Sequence, residues 1–89
     1  MGCLTEVDLI GYWELVDNVV TNFFSNFPQL SIVRLCNIYS LTDLTMQALA
    51  TYTMDLTMLD ITGCWRVSDQ GVRHVAEYNR YKIKPIHDN

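Results

Sequence analysis

Apolar residues return along this chain at one fixed interval. Leu4, Leu30 and Leu56 stand 26 residues apart, as do Val7, Val33 and Leu59, then Leu9, Leu35 and Ile61, then Leu15, Leu41 and Val67. The same step carries Val20 to Met46 and Val72, Phe23 to Leu49 and Val75, and Asp17 to Asp43 and Asp69, with no gap between Leu4 and Tyr78. In the third copy Leu59 and Ile61 alternate with Met58, Asp60 and Thr62. That two-residue period predicts a short strand with one face turned inward. Further on, Val72, Val75 and Ala76 fall at helical spacing and share one face, a pattern repeated by Met46, Leu49 and Ala50 and by Val20, Phe23 and Phe24. Polar residues such as Asn18, Thr21, Gln47, Gln70, Arg73 and Glu77 fill the opposite faces. Leu41-Thr42-Asp43 and Val67-Ser68-Asp69 precede two of these stretches, and Ser, Thr or Asp there accepts the orphan N–H groups of a helix start. Each copy therefore reads strand, loop, short helix. The helices are expected near residues 17–25, 43–52 and 69–78.

Gly11, Asn37 and Gly63 follow the three strands, where small or turn-prone residues suit a bend. Tyr12, Ile38 and Cys64 come next, in a slot expected to be buried; Cys64 there reads as a small hydrophobe with a weak S–H donor. The period fails after Tyr78. A fourth copy in register would set Lys82 and Pro85 in the slots of Leu56 and Leu59, although Ile83 and Ile86 would cover the third copy if the register slipped by one. Residues 80–89 are read as a tail or partial C-terminal cap. The expected organisation is thus three repeats, about 2–27, 28–53 and 54–79, followed by that tail. Neither end begins with a polar capping unit of the kind that keeps a repeat array soluble, so self-association through the uncapped ends is expected.

The third copy carries a more specific signature. Leu56, Leu59, Ile61, Cys64, Val67, Ser68, Asp69, Gly71 and Val72 follow the pattern L-x-x-L-x-L-x-x-C-x-x-(I/V)-(T/S)-D-x-G-(L/V). This resembles the cysteine-containing class of leucine-rich repeats, whose period range of about 20–29 residues includes the one seen here. The resemblance covers about residues 4–79. It is looser in the second copy, with Ile38 in the Cys slot, and loosest in the first, with Tyr12 there and Val16 before Asp17. It implies an α/β fold: a short right-handed leucine-rich-repeat solenoid with a parallel concave sheet and helices on the convex side. The class is familiar from F-box/leucine-rich-repeat proteins, in which the F-box holds an adaptor of a cullin–RING ubiquitin ligase and the repeats hold the substrate. An F-box finds no room in residues 1–89, so the resemblance implies the substrate-recognition half alone. The partners it implies are other proteins, a ligase client or an adaptor complex. A second reading is a small mitochondrial assembly factor built from a few such repeats. The N-terminal stretch, with four acids and no Arg, is unlike an import presequence.

On this architecture the outward strand positions are the candidate binding face: Glu6, Asp8 and Ile10, then Ile32, Arg34 and Cys36, then Met58, Asp60 and Thr62. Asp8, Arg34 and Asp60 form a row of alternating charge, whose members either stabilise one another across strands or contact a ligand. Trp13, Tyr39 and Trp65 form a second column in the loops. They either stack as a structural ladder or stand out as partner anchors, since Trp and Tyr are enriched in binding hot spots.

Composition narrows the chemistry. A net charge of −4 disfavours nucleic acid as a partner. The three cysteines, Cys3, Cys36 and Cys64, fit no metal-ligand spacing and are odd in number, which favours a reducing compartment, the cytoplasm or nucleus. No apolar run reaches the roughly 18 residues of a membrane span, and no signal peptide opens the sequence. The four glycines, at positions 2, 11, 63 and 71, form no phosphate loop, and no Ser or Cys meets a His and an acid at repeat-related positions. The regular Asp17, Asp43 and Asp69 read as helix caps rather than metal ligands. Neither catalysis nor a cofactor nor a metal is expected.

Overall fold

The computed structural model describes residues 4–78 and 82–84. Strands and helices alternate: β1 (Glu6–Asp8), α1 (Asp17–Asn26), β2 (Ile32–Arg34), α2 (Asp43–Tyr52), β3 (Met58–Asp60), α3 (Asp69–Tyr78) and β4 (Lys82–Lys84). The strands form one parallel sheet in chain order, and the helices pack side by side as a second layer, α1 on α2 and α2 on α3. Glu6 pairs with Ile32 and Ile32 with Met58, so the sheet advances by the 26-residue step seen in the sequence.

Between the layers lies one apolar core. Val33, Leu35, Leu59 and Ile61 from the strand segments meet Val20, Phe24, Met46, Leu49 and Val75 from the helices. Backbone bonds repeat at the same step. Ser31 N–H donates to the Thr5 carbonyl and Thr57 N–H to that of Ser31, each at 2.7 Å. Past the strands, Leu9 N–H donates to Arg34 and Leu35 N–H to Asp60, each at 2.8 Å. The bend that follows takes a positive φ in all three copies: 79° at Gly11, 61° at Asn37 and 81° at Gly63. Such angles suit Gly and, next, Asn.

Three expectations change. β4 lies within the stretch read as a tail or partial C-terminal cap and pairs in parallel with β3, but not in the register expected for a slip of one residue. Ile83 stands opposite Leu59, two residues earlier than the 26-residue step would place its counterpart. The rest of the expected tail lies outside the described residues.

Second, the aspartates do not cap their own helices. Thr42 caps α2, its hydroxyl accepting the Leu44 N–H at 3.2 Å, while Ser68 accepts the Gly71 N–H at 3.3 Å. Asp17 instead reaches forward one copy. It accepts the Thr42 backbone N–H at 2.9 Å, the Thr42 hydroxyl at 2.8 Å and the Thr45 hydroxyl at 2.5 Å. Asp43 likewise accepts the Ser68 N–H at 2.8 Å and hydroxyl at 2.5 Å. Each carboxylate therefore fastens its helix to the start of the next. Gly71 occupies the slot of Thr45, and a Cβ there would collide with the Asp43 carboxylate, so the second clamp closes over a glycine. Burial works to raise the Asp17 carboxyl, but hydrogen bonds from the Thr42 backbone and the Thr45 and Thr42 hydroxyls outweigh it and hold the group below its ordinary value.

Third, Tyr12 does not fill the slot that Ile38 and Cys64 fill. Those two are fully buried, whereas Tyr12 is 61 % exposed. A phenol ring exceeds a pocket shaped for a thiol or a butyl group, and no earlier turn closes over it among the described residues.

Candidate protein-binding face

Short strands set the spacing of the face. Parallel neighbours lie about 4.8 Å apart, so the outward side chains of β1, β2 and β3 stand in rows. Glu6, Ile32 and Met58 make the first row and Asp8, Arg34 and Asp60 the second. Ile10, Cys36 and Thr62 follow at the strand exits. Glu6, Asp8 and Ile10 are exposed, while Ile32, Arg34, Met58 and Thr62 are half-buried.

Two predicted members are withdrawn from the surface. Cys36 is only 9 % exposed and Asp60 only 6 %. Both sit in inner copies, with strand segments on either side. Asp60 is satisfied there, its Oδ1 accepting the Thr62 N–H at 3.1 Å and the Thr62 hydroxyl at 2.7 Å. Asp8 makes the matching turn with the Ile10 N–H at 3.2 Å, but in the open. These bonds hold both carboxylates at their own strand exits.

The cysteines are held as thiols. Burial, followed by a hydrogen bond to Asp60 and its negative charge, pushes the Cys36 thiol up to about 12. Burial also raises the Cys64 thiol, against a backbone hydrogen bond from Ile38. Cys64 donates to the Leu35 carbonyl at 2.7 Å, so its sulfur links one copy to the previous one, as a small hydrophobe with a weak donor can. Thiols held in this way are poor nucleophiles and poor metal ligands. No group of three or more His, Cys, Asp or Glu among the described residues could hold a metal ion. No helix among them is long and apolar enough to cross a membrane.

The loop aromatics are the most prominent groups beside this face. Trp13 is 67 % exposed, Tyr39 51 % and Trp65 57 %. A ladder stabilised mainly by mutual burial would hide far more of each ring. Tyr12, placed in a buried slot by the sequence pattern, joins them in the open; Gly11, Tyr12, Trp13, Glu14 and Leu15 together line a shallow hollow. The signal for Tyr12 was its volume, which periodicity does not weigh.

A scan against protein-family models found no match, and a search of curated proteins found no relative. The functional reading therefore rests on the residues themselves.

Proposed function

We propose that the chain is a short leucine-rich-repeat solenoid and acts as a non-catalytic protein-binding module. The observation that carries this reading is the exposed aromatic column of Trp13, Tyr39 and Trp65, set at one repeat step beside the outward sheet face. Large rings held open on a rigid scaffold lose little conformational entropy on binding and bury much area, which is why they serve as anchors. The buried Cys64 bonded to the preceding copy and the positive φ at each strand exit support the solenoid part of the reading. The resemblance of residues 56–72 to cysteine-containing repeats points to the client-recognition half of an SCF-type ubiquitin ligase receptor as the role.

The test is quantitative capture of client proteins from reducing lysate on the immobilised chain, with the Trp13→Ala/Trp65→Ala double variant beside it. Hot-spot truncations remove about 2 kcal/mol or more each, so the variant is expected to lose over tenfold of its affinity for a specific client. Its melting temperature should stay within a few degrees, because exposed rings contribute little to the core. A client that also becomes ubiquitinated in the lysate would place the module in ubiquitin ligation. A large fall in melting temperature, or unchanged capture, would remove the anchor reading.

A further inference from the structure

Beside the aromatic column the loops carry a second one. Glu14, Ser40 and Arg66 follow Trp13, Tyr39 and Trp65 directly, at the same 26-residue step. Across the three copies this column runs acid, neutral, base. Glu14 and Arg66 are exposed, and neither makes a hydrogen bond or ion pair among the described residues. Charges that the fold does not use are available to a partner. The sheet face grades the same way. Glu6 and Asp8 in the first copy are exposed acids, and Arg34 in the second is a half-buried base. Asp60 in the third is at 6 % exposure with its Oδ1 bonded to Thr62, so it presents little charge outward. Asp17, Asp43 and Asp69 recur in every copy and add no slope.

The backbone sets the spacing of the column. Gly11 N–H donates to the Cys36 carbonyl at 2.9 Å and Asn37 N–H to that of Thr62 at 2.8 Å, so adjacent copies stay bonded up to two residues before Trp13 and Tyr39. Each step there keeps close to the strand spacing of about 4.8 Å, and two steps cover roughly 10 Å. An extended chain advances about 3.3 Å per residue and covers that distance in about three residues. Trp13 and Tyr39 make no ring contact with each other among the described residues, whereas Phe23 does with Phe24 and Phe27. The two loop rings are separate platforms, each more than half exposed.

We infer that these loops receive an extended protein segment carrying a Lys or Arg and an Asp or Glu about three residues apart, the base against Glu14 and the acid against Arg66. The inference rests on the aromatic anchor reading and adds to it the polarity of the partner. Side chains between the two charges lie on Trp13, Tyr39 and Trp65. A cation beside Glu14 gains further from the face of Trp13, because ring faces attract positive charge. A uniformly basic segment meets Arg66, and a uniformly acidic one meets Glu6, Asp8 and Glu14. Like charges brought together cost binding, so the column rejects both and selects a segment with one sign at each end.

The test is selection of displayed random peptides on the immobilised full chain, followed by fluorescence-anisotropy titration of the tightest ones. The wild type should enrich peptides with a base and an acid about three residues apart. Glu14→Arg should weaken such a peptide by about tenfold, and replacing the peptide's base with Glu should restore it. Arg66→Glu should weaken it likewise, with restoration when the peptide's acid becomes Lys. Both positions are exposed, so the melting temperature should not move. The two rescues are independent, so the inference stays testable even if one variant folds poorly. Selected peptides without the charge pair, or titrations indifferent to both substitutions, would overturn the inference and leave the aromatic anchors in place. No enrichment beyond that of the Trp13→Ala/Trp65→Ala variant would overturn the anchor reading itself, and this inference with it.

Discussion

Replacing Leu59 with Ala is expected to remove about 3–4 kcal/mol of folding stability, against about 1 kcal/mol for Val7→Ala. The two residues hold the same slot of the repeat, and Val33 stands between them in the sheet. Leu59 is at 0 % exposure, with β2 and β4 on either side and helices beneath, so truncation leaves a cavity that its neighbours cannot fill by moving. Val7 is half-buried in the end strand of the described sheet, and solvent reaches part of its side chain in either case. A domain of this size is stable by about 0.05–0.15 kcal/mol per residue, so the inner truncation removes a large share of the total. Urea unfolding in dilute solution reads both values. Equal losses at the two sites would mean that the ends of the stack are as closely packed as its middle.

Asp17→Ala should come next in size, at about 2–4 kcal/mol, while Asp69→Ala should stay within about 1 kcal/mol. Asp17 serves three donors, and one of them, the Thr45 hydroxyl, belongs to a residue at 0 % exposure. Removing the carboxylate leaves that hydroxyl and the Thr42 N–H without their acceptor, and an unsatisfied buried donor keeps its desolvation penalty. Asp69 has no such role among the described hydrogen bonds. The same contrast sets a pH dependence. The folded Asp17 carboxyl lies below its ordinary value of 3.8, so its contribution is fully present above about pH 4 and is lost as the pH falls through the folded value. Unfolding free energy measured from pH 6 down to pH 2.5 should fall more steeply in the wild type than in Asp17→Ala. Parallel curves would remove the clamp from the account.

The sequence makes the elements legible because every inward slot is filled three times by the same kind of residue. Leu9, Leu35 and Ile61 identify a buried column, and Val20, Met46 and Val72 identify one helix side. α2 and α3 span the stretches expected from that period, and α1 runs one residue further, to Asn26. What the period hides is partnership between copies. Asp17, Asp43 and Asp69 look like caps because Asp favours helix starts, and spacing alone does not say that the acceptor belongs to the following turn. Strand β4 is hidden for another reason. Lys82-Ile83-Lys84 has one apolar residue and arrives two positions early, so no Leu column announces it. Of the binding face, the outward positions are readable from alternation, but the burial of Cys36 and Asp60 depends on their place inside the sheet. Tyr12 shows the converse. A slot that buries Ile38 and Cys64 in later copies leaves a larger ring outside in the first.

The clamps also give the molecule a direction. Each helix start from α2 onward is fastened by a carboxylate belonging to the helix before it, and none of these bonds runs backward. The start of α1 has Val16 in the capping position and no side-chain cap at all. Loosening α1 therefore releases α2, and loosening α2 releases α3, whereas loss of α3 leaves the anchors of the others in place. Opening at α1 removes the acceptor for the start of α2, whereas opening at α3 leaves that clamp in place. Ordered loss of amide protection, α1 before α2 before α3, is the kinetic counterpart of a row of hooks that all face the same way.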